Sequence, residues 1–193
     1  MTIYFDTETT GLTPGRIIQL AYVLDYGDKA VGKNFYFAVD YVPETASAIH
    51  GITTEKLAVL SKGKTFSDYA DEIYNDFSSA DLIVAHNDKF DITFLTAEFS
   101  YIDILFKYNA SLCSMKYFTN VLKIQRKSGG FKYPKLSEVA EFFEFYPYDV
   151  TRECIKLFGA DETAFHDARY DTVIVYLAIK AQAEKDEELK KVI

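Results

Sequence analysis

The sequence predicts an α/β layered domain, and three observations carry that prediction. Apolar runs of strand character cluster between Ile3 and Val39. Strand-like and helix-like segments then alternate between Phe66 and Phe143. A nearly uniform apolar run, Val173–Ile179 (VIVYLAI), reads as a buried helix near the C-terminus. At 193 residues and 49% hydrophobic content the chain is long enough to bury a substantial core as a single domain.

In chain order, Ile3–Asp6, Ile17–Asp25 and Lys33–Val39 read as strands. The turn-like Tyr26-Gly27-Asp28 between the last two suggests an antiparallel meander. Phe66, Tyr69, Ala70, Ile73 and Phe77 follow helical spacing, with Thr65 or Ser67 as the cap. Leu82–Ala85 suits a short buried strand. A long amphipathic helix follows on Ile92, Leu95, Phe99, Ile102 and Phe106. Leu112–Ser114 reads as a fifth strand, and Leu136, Val139, Ala140 and Phe143 as another helix. The C-terminal helix is expected to start near Asp167. Residues 1–183 are expected to form the domain, with 184–193 a charged, fraying tail.

Composition narrows the function. Sixteen Phe and fifteen Tyr without Trp predict an aromatic core with tyrosines at its rim. Cys113 and Cys154 stand alone and far apart, which argues against a disulfide framework or a paired-cysteine zinc site and fits a reducing cytoplasm. No apolar run reaches the ~18 residues of a membrane span, so no membrane partner is expected. The N-terminus lacks the pattern of a secretory leader.

The chemistry-bearing residues are acids at the ends of apolar segments. On a strand that continues through MTIYFDTETTGL, Tyr4, Asp6 and Glu8 share a face. Two carboxylates held there repel each other unless a cation lies between them or one keeps its proton. Hard divalent ions favour such oxygen ligands. The pair alone favours a solvated turn after an edge strand. LIVAHNDKFDITFL repeats the pattern, with Asp88 as a possible helix cap and Asp91 one turn further on. In FHDARYDTVIVYLAI, Asp167 suits an N-cap. Asp171 enters an otherwise apolar helix, where an unpaired buried charge costs several kcal/mol. His166 precedes that helix in a loop.

Asp6-Thr7-Glu8-Thr9-Thr10-Gly11, then Ala85-His86-Asn87 with Phe90-Asp91, then His166 and Asp171, resemble the three motifs of the DEDDh (DnaQ-like) 3′→5′ exonucleases. Ile49-His50-Gly51-Ile52-Thr53 resembles a fourth segment of that family, and the likeness spans residues 2–180. The resemblance implies a ribonuclease H-like mixed five-stranded sheet flanked by helices. It also implies a phosphodiesterase using two divalent ions, Mg²⁺ with Mn²⁺ as a substitute, about 4 Å apart. By that likeness Asp6 bridges both ions, Glu8 and Asp171 complete one site, Asp91 holds the second, and His166 is the general base. Thr9, Thr10, Gly11 and Leu12 would receive the 3′-terminal nucleotide, with His50, Asn87 and Phe90 beside them. His50-Gly51 also fits a plain turn before a helix capped by Thr53. Lys89 and Arg169 read as surface charges.

The net charge of −8 runs against a polyanionic substrate. Bound cations reverse the local field. In addition, residues 104–137 contain seven cations and no acid, with Tyr108, Tyr117, Phe131 and Tyr133 interleaved. Within that segment Lys123, Arg126, Lys127, Lys132 and Lys135, with a Ser-Gly-Gly hinge, suggest a mobile basic arm guiding a single strand. A solvated loop balancing an acidic body fits as well. The expected substrate is the 3′ end of single-stranded DNA or RNA, with DNA favoured. A polymerase partner acting in trans is possible, as is a silent partner-binding module, and oligomeric state stays open.

Overall fold

The computed structural model describes residues 1–12, 15–159 and 163–193. Its centre is a five-stranded mixed sheet of order β3-β2-β1-β4-β5. β1 (Thr2–Thr9) pairs antiparallel with β2 (Ile17–Asp25), which pairs antiparallel with β3 (Ala30–Tyr36). On the other side of β1, β4 (Leu82–Ala85) and β5 (Ser111–Cys113) run parallel to it. This is the expected mixed sheet, with the meander at the N-terminus.

The alternation of β1 divides the molecule into two layers. Ile3 and Phe5 face a core with α3 (Ala70–Ser79) and α4 (Asp88–Ser100), through Phe77, Phe94, Leu95 and Phe99. Tyr4 faces the opposite core, against Val175 and Ile179 of α8 (Ala168–Ala183). Every residue of the central strand but the half-buried Asp6 is buried, so its polar C-terminal half is held between the two layers.

Five boundaries differ from the sequence expectation. β1 runs on through Glu8, which pairs with Gln19, and a register shift between Glu8 and Thr9 ends it. β3 begins and ends three residues early, yet Phe37 still packs in the core just beyond the strand. The expected helix from Phe66 is a short 3-10 turn, Phe66–Asp68, capped reciprocally by Thr65 and Asp68, with α3 starting afresh at Ala70. α4 stops at Ser100. Asp103 adopts a left-handed φ of 58° and Ile104 N bonds back to Phe99 O, so the chain returns Phe106 to stack on Phe99 at 5.0 Å. Apolar spacing that looked helical is thus a turn feeding the same core. β5 lies one residue earlier than expected because Ser114 begins α5 (Ser114–Leu122).

Two short helices, α1 (Glu44–His50) and α2 (Thr54–Ser61), form a separate cluster around Ile18 and Leu57, and Thr53 caps α2. α6 (Leu136–Phe142) and α7 (Pro147–Phe158) cover the α8 side. The segment 184–193, expected as a charged tail, contains a short helix. α9 (Glu187–Val192) is capped by Asp186 and buries Leu189 against the α8 layer. Among the described residues no helix is long and apolar enough to cross a membrane.

Candidate active site

The alternation that divides the core also sorts the acids. Asp6 and Glu8 lie on the α8 face of β1, and Asp171 stands in the first turn of α8 opposite them. Carboxylate oxygens of Glu8 and Asp171 and a ring nitrogen of His166 lie within 4.8 Å of one another, a donor set able to hold a metal ion. Asp91 approaches from the other layer. Thr7, pointing to that side, donates to Asp91 Oδ1 from its hydroxyl at 2.7 Å and from its backbone N–H at 3.1 Å.

The electrostatics show how tightly the acids converge. Burial first, then the charges of Asp91, Asp171 and Glu8, hold the Asp6 carboxyl well above its ordinary range. Burial and then Asp171 push Glu8 up to about 9. Burial raises Asp91 to about 7 against the pull of the Thr7 hydrogen bonds, and raises Asp171 to about 7 against the His166 N–H. Acids in such mutual repulsion need protons or a cation. Asp171 Oδ2 accepts from His166 N at 3.2 Å, whereas its Oδ1 is buried without a hydrogen-bond partner. That open carboxylate oxygen, beside Glu8 and His166, fits a divalent ion.

His166 is exposed and adopts a left-handed φ of 66°, a strained backbone for this residue type that aims its ring into the site. Asp167 caps α8 through Arg169 N, as expected. The Arg169 guanidinium also grips Asp167 at 2.9 and 2.6 Å, so Arg169 is a structural partner instead of a surface charge. Completely buried Gln19 donates from Nε2 to Asp167 Oδ1, Asn34 Oδ1 and Tyr36 OH, while its Oε1 accepts from Ala168 N.

Beside Glu8, a cavity of about 370 Å³ is lined by Thr9, Gly11, Leu12, His50 and Phe90. Thr45, Ala46 and Ile49 of α1 complete its wall. Leu12 is 81% exposed at the rim. His50 Nδ1 accepts from Ile52 N, which leaves Nε2 as a buried donor without a partner. Burial also pulls the His50 imidazole below its ordinary value. A second cleft of about 300 Å³ holds both His50 and His166.

Other expected residues are occupied or turned outward. The Thr9 hydroxyl donates to Gly11 O, and the Thr10 hydroxyl accepts from Arg16 N, so both shape the loop. Buried Glu98 anchors the same loop, accepting twice from Arg16 and once from Ile17 N. Asn87 is exposed, left-handed at φ 77°, and is the N-cap position of α4 without a side-chain cap bond. Asp88 is therefore not the cap. It is buried and accepts from Ser111 Oγ, tying α4 to β5. Lys89 is exposed, as expected.

The basic segment is a closed reversal. Gly129 and Gly130, at φ 88° and 74°, let Gln125 pair with Phe131, Arg126 N bond Gly130 O and Lys132 N bond Ile124 O. The glycines that suggested a hinge make this turn. Lys132 is paired with Glu138, whereas Lys123, Arg126, Lys127 and Lys135 are exposed.

The sequence model of an exonuclease family, RNase_T, matches residues 3–179. The chain is 33% identical over 135 residues to DNA polymerase III subunit epsilon of Escherichia coli, covering 65% of this chain and 53% of that protein. It is 31% identical over 135 residues to the same subunit of Buchnera aphidicola, covering 65% and 55%. With DNA polymerase III PolC-type of Bacillus subtilis it shares 30% identity over 185 residues, 92% of this chain but 11% of that protein. The chain therefore spans about half the length of the epsilon subunits it matches. Among solved structures, Escherichia coli Exonuclease I in complex with an oligonucleotide shares the fold at a TM-score of 0.70 and 16% identity, covering 97% of this chain and 42% of that one.

Proposed function

This chain belongs to the RNase_T family of DEDDh 3′→5′ exonucleases, and on that premise we propose that it removes nucleotides from the 3′ end of single-stranded nucleic acid, DNA above all, with divalent ions as cofactors. The observation that carries the reading is the triad of donors from Glu8, His166 and Asp171, with one buried Asp171 oxygen open beside them. Asp6, Glu8, Asp91 and Asp171 would hold two divalent ions, Mg²⁺ or Mn²⁺, with Glu8 and Asp171 in the donor cluster beside His166. Bound divalent ions supply Lewis-acid activation of the attacking water and neutralise charge at the leaving oxygen.

The chain's own residues do the rest. The cavity rimmed by Leu12 and walled by His50 and Phe90 takes the 3′-terminal nucleotide, and the free His50 Nε2–H donates to it. Thr9 to Leu12, with Arg16 held by Glu98, set that nucleotide against Glu8. His166, exposed to the cleft, takes the proton of the attacking water, and the contact of its N–H with Asp171 keeps its loop in place. The product is a nucleoside 5′-monophosphate. Residues 1–183 form the catalytic domain. Similarity to polymerase III subunits supports proofreading with a polymerase in trans.

The test is digestion of 5′-labelled single-stranded DNA, duplex DNA and RNA of matched sequence, with Mg²⁺ or with EDTA. A ladder shortening from the 3′ end, nucleoside 5′-monophosphate products and no reaction in EDTA are expected, fastest on single-stranded DNA. Near-full activity in Asp91→Ala would overturn the assignment of the acids. Faster digestion of RNA would move the substrate to that polymer.

A further inference from the structure

One half-buried side chain, His86, connects the acid-free segment 104–137 to the active site. His86 lies between Ala85, the last residue of β4, and the turn that presents Asn87, Phe90 and Asp91. Its Nε2 is 3.0 Å from the carbonyl oxygen of Pro134, and its Nδ1 is 3.0 Å from Ser114 Oγ. A carbonyl can only accept, so Nε2 carries the proton. Burial pushes the imidazole down to about 4, so the neutral ring leaves Nδ1 to accept from the Ser114 hydroxyl. Pro134 is buried, and its neighbour Tyr133 is 51% exposed. An exposed aromatic ring is thereby fixed relative to the turn that carries Asp91 and the cavity residue Phe90.

The reversal between Gln125 and Phe131 brings a cation to that ring. The Arg126 guanidinium lies 5.8 Å from the Tyr133 ring centroid. Lys132 points elsewhere, to Glu138. Arg126 and Lys127 are exposed and form no ion pair among the described residues. Outside residues 104–137 the chain carries a net −15 (14 cations against 29 acids), so an approaching polyanion is attracted chiefly along this segment. A flat ring with a guanidinium beside it, next to free cations, is the chemistry that binds a base and its phosphates without regard to sequence.

From this juxtaposition we infer that Tyr133 and Arg126 form a stacking subsite for a base of the incoming single strand, upstream of the 3′-terminal nucleotide, with Lys127 on the adjoining phosphates. The inference rests on the exonuclease reading above. It adds that affinity for the strand comes partly from a platform outside the terminal-nucleotide cavity.

The experiment uses oligothymidylates in a length series from the dinucleotide upward. Tyr133→Ala is expected to raise KM for long strands at least about tenfold, with kcat and dinucleotide turnover unchanged. Arg126→Ala with Lys127→Ala is expected to flatten the salt dependence of binding by about 0.7 per lost phosphate contact. Because the chain has no Trp, Tyr133→Trp supplies a single tryptophan that can be excited apart from the tyrosines. Its emission should be quenched by long oligothymidylate in EDTA, where no turnover occurs, and its KM should stay near the parent value.

Equal KM values for the parent and Tyr133→Ala at every length, or no quenching in Tyr133→Trp, would overturn the subsite while leaving the exonuclease reading standing. Length-dependent quenching in a protein that degrades no polymer would overturn the exonuclease reading and keep the subsite.

Discussion

Thr7 and Asp91 come from opposite ends of the chain's first half, yet two donors of Thr7 converge on one oxygen, Asp91 Oδ1. The contact crosses from the sheet to α4, and it places Asp91 level with Asp6 and Glu8 on the same strand. Thr7 thus positions Asp91 and favours its charged form. Thr7→Val keeps the shape and strand preference of the side chain but removes the 2.7 Å bond. The expected outcome is a loss of about 10–100-fold in divalent-ion affinity, read from Mg²⁺ titrations of activity, with Thr7→Ser close to the parent. Equal Mg²⁺ dependence in Thr7→Val and parent would show that Asp91 is held by other contacts.

The clustered acids predict how stability depends on pH. Asp91 and Asp171 at about 7 and Glu8 at about 9 bind protons more tightly in the folded chain than unfolded carboxyls near ~4 do. A group whose folded pKa is raised stabilises the fold fully at low pH, and that contribution is lost as pH rises through the folded value. In EDTA the Tm should therefore fall between about pH 5 and pH 9 on account of these groups. Added Mg²⁺ or Mn²⁺ should restore it most at the alkaline end, where the carboxylates are free to bind. A Tm in EDTA that does not fall over that range, or a metal effect as large at pH 5 as at pH 9, would contradict the convergence of the acids.

Gln19 offers a sharper test of the His166 loop. It is completely buried, stands opposite Glu8 across the β1–β2 pair, and its amide spends both ends on the start of α8 and on β3. Gln19→Leu fills similar space but leaves the buried Ala168 N–H without its side-chain partner, while Asp167 Oδ1 keeps its two donors from Arg169. An unpaired buried donor costs about 1–3 kcal/mol, so a drop in Tm is expected. Activity should fall through kcat more than KM, because the loop that bears His166 ends at Asp167. Asp167→Ala should likewise cost more than a lost cap, since Arg169 and Gln19 both depend on it. A Gln19→Leu enzyme with parental kcat would separate the network from the loop.

The placement of the acids was legible because its signal is local: two-residue spacing on a strand puts Asp6 and Glu8 on one face of β1, and Asp171 lies one turn into an apolar helix. β2, β4 and the start of α8 were legible for the same reason. What escaped depends on contacts distant in sequence. The α1 wall of the cavity comes from ETASAIH, too short and too mixed to show a helical period, and it has no side-chain cap. Gln19 looked like one polar residue in an apolar strand until pairing set it beside Asp167, 148 residues away. The role of His86 required Pro134, 48 residues on. The Phe99–Phe106 stack misled because a turn and a helix can deliver the same apolar period to one core.

Gly32 links the sheet edge to the helix layer that supports α8. It lies in β3, and a Cβ built there would meet Leu157 O at 2.5 Å and the Phe158 ring at 2.8 Å. Leu157 and Phe158 end α7, which packs on both β3 and α8. The nearest obstacle is backbone, which cannot swing aside as a flexible side chain could. Gly32→Ala must therefore push α7 off the sheet, and overpacking of this kind costs about 1–3 kcal/mol. A lowered Tm, with Mg²⁺ affinity unchanged, is expected from thermal melts and metal titrations run in parallel. The neighbouring Val31→Ala, at a 42% exposed position of the same strand, is the control and should melt close to the parent. If Gly32→Ala melts no lower than that control, α7 does not rest on β3 as closely as the glycine implies.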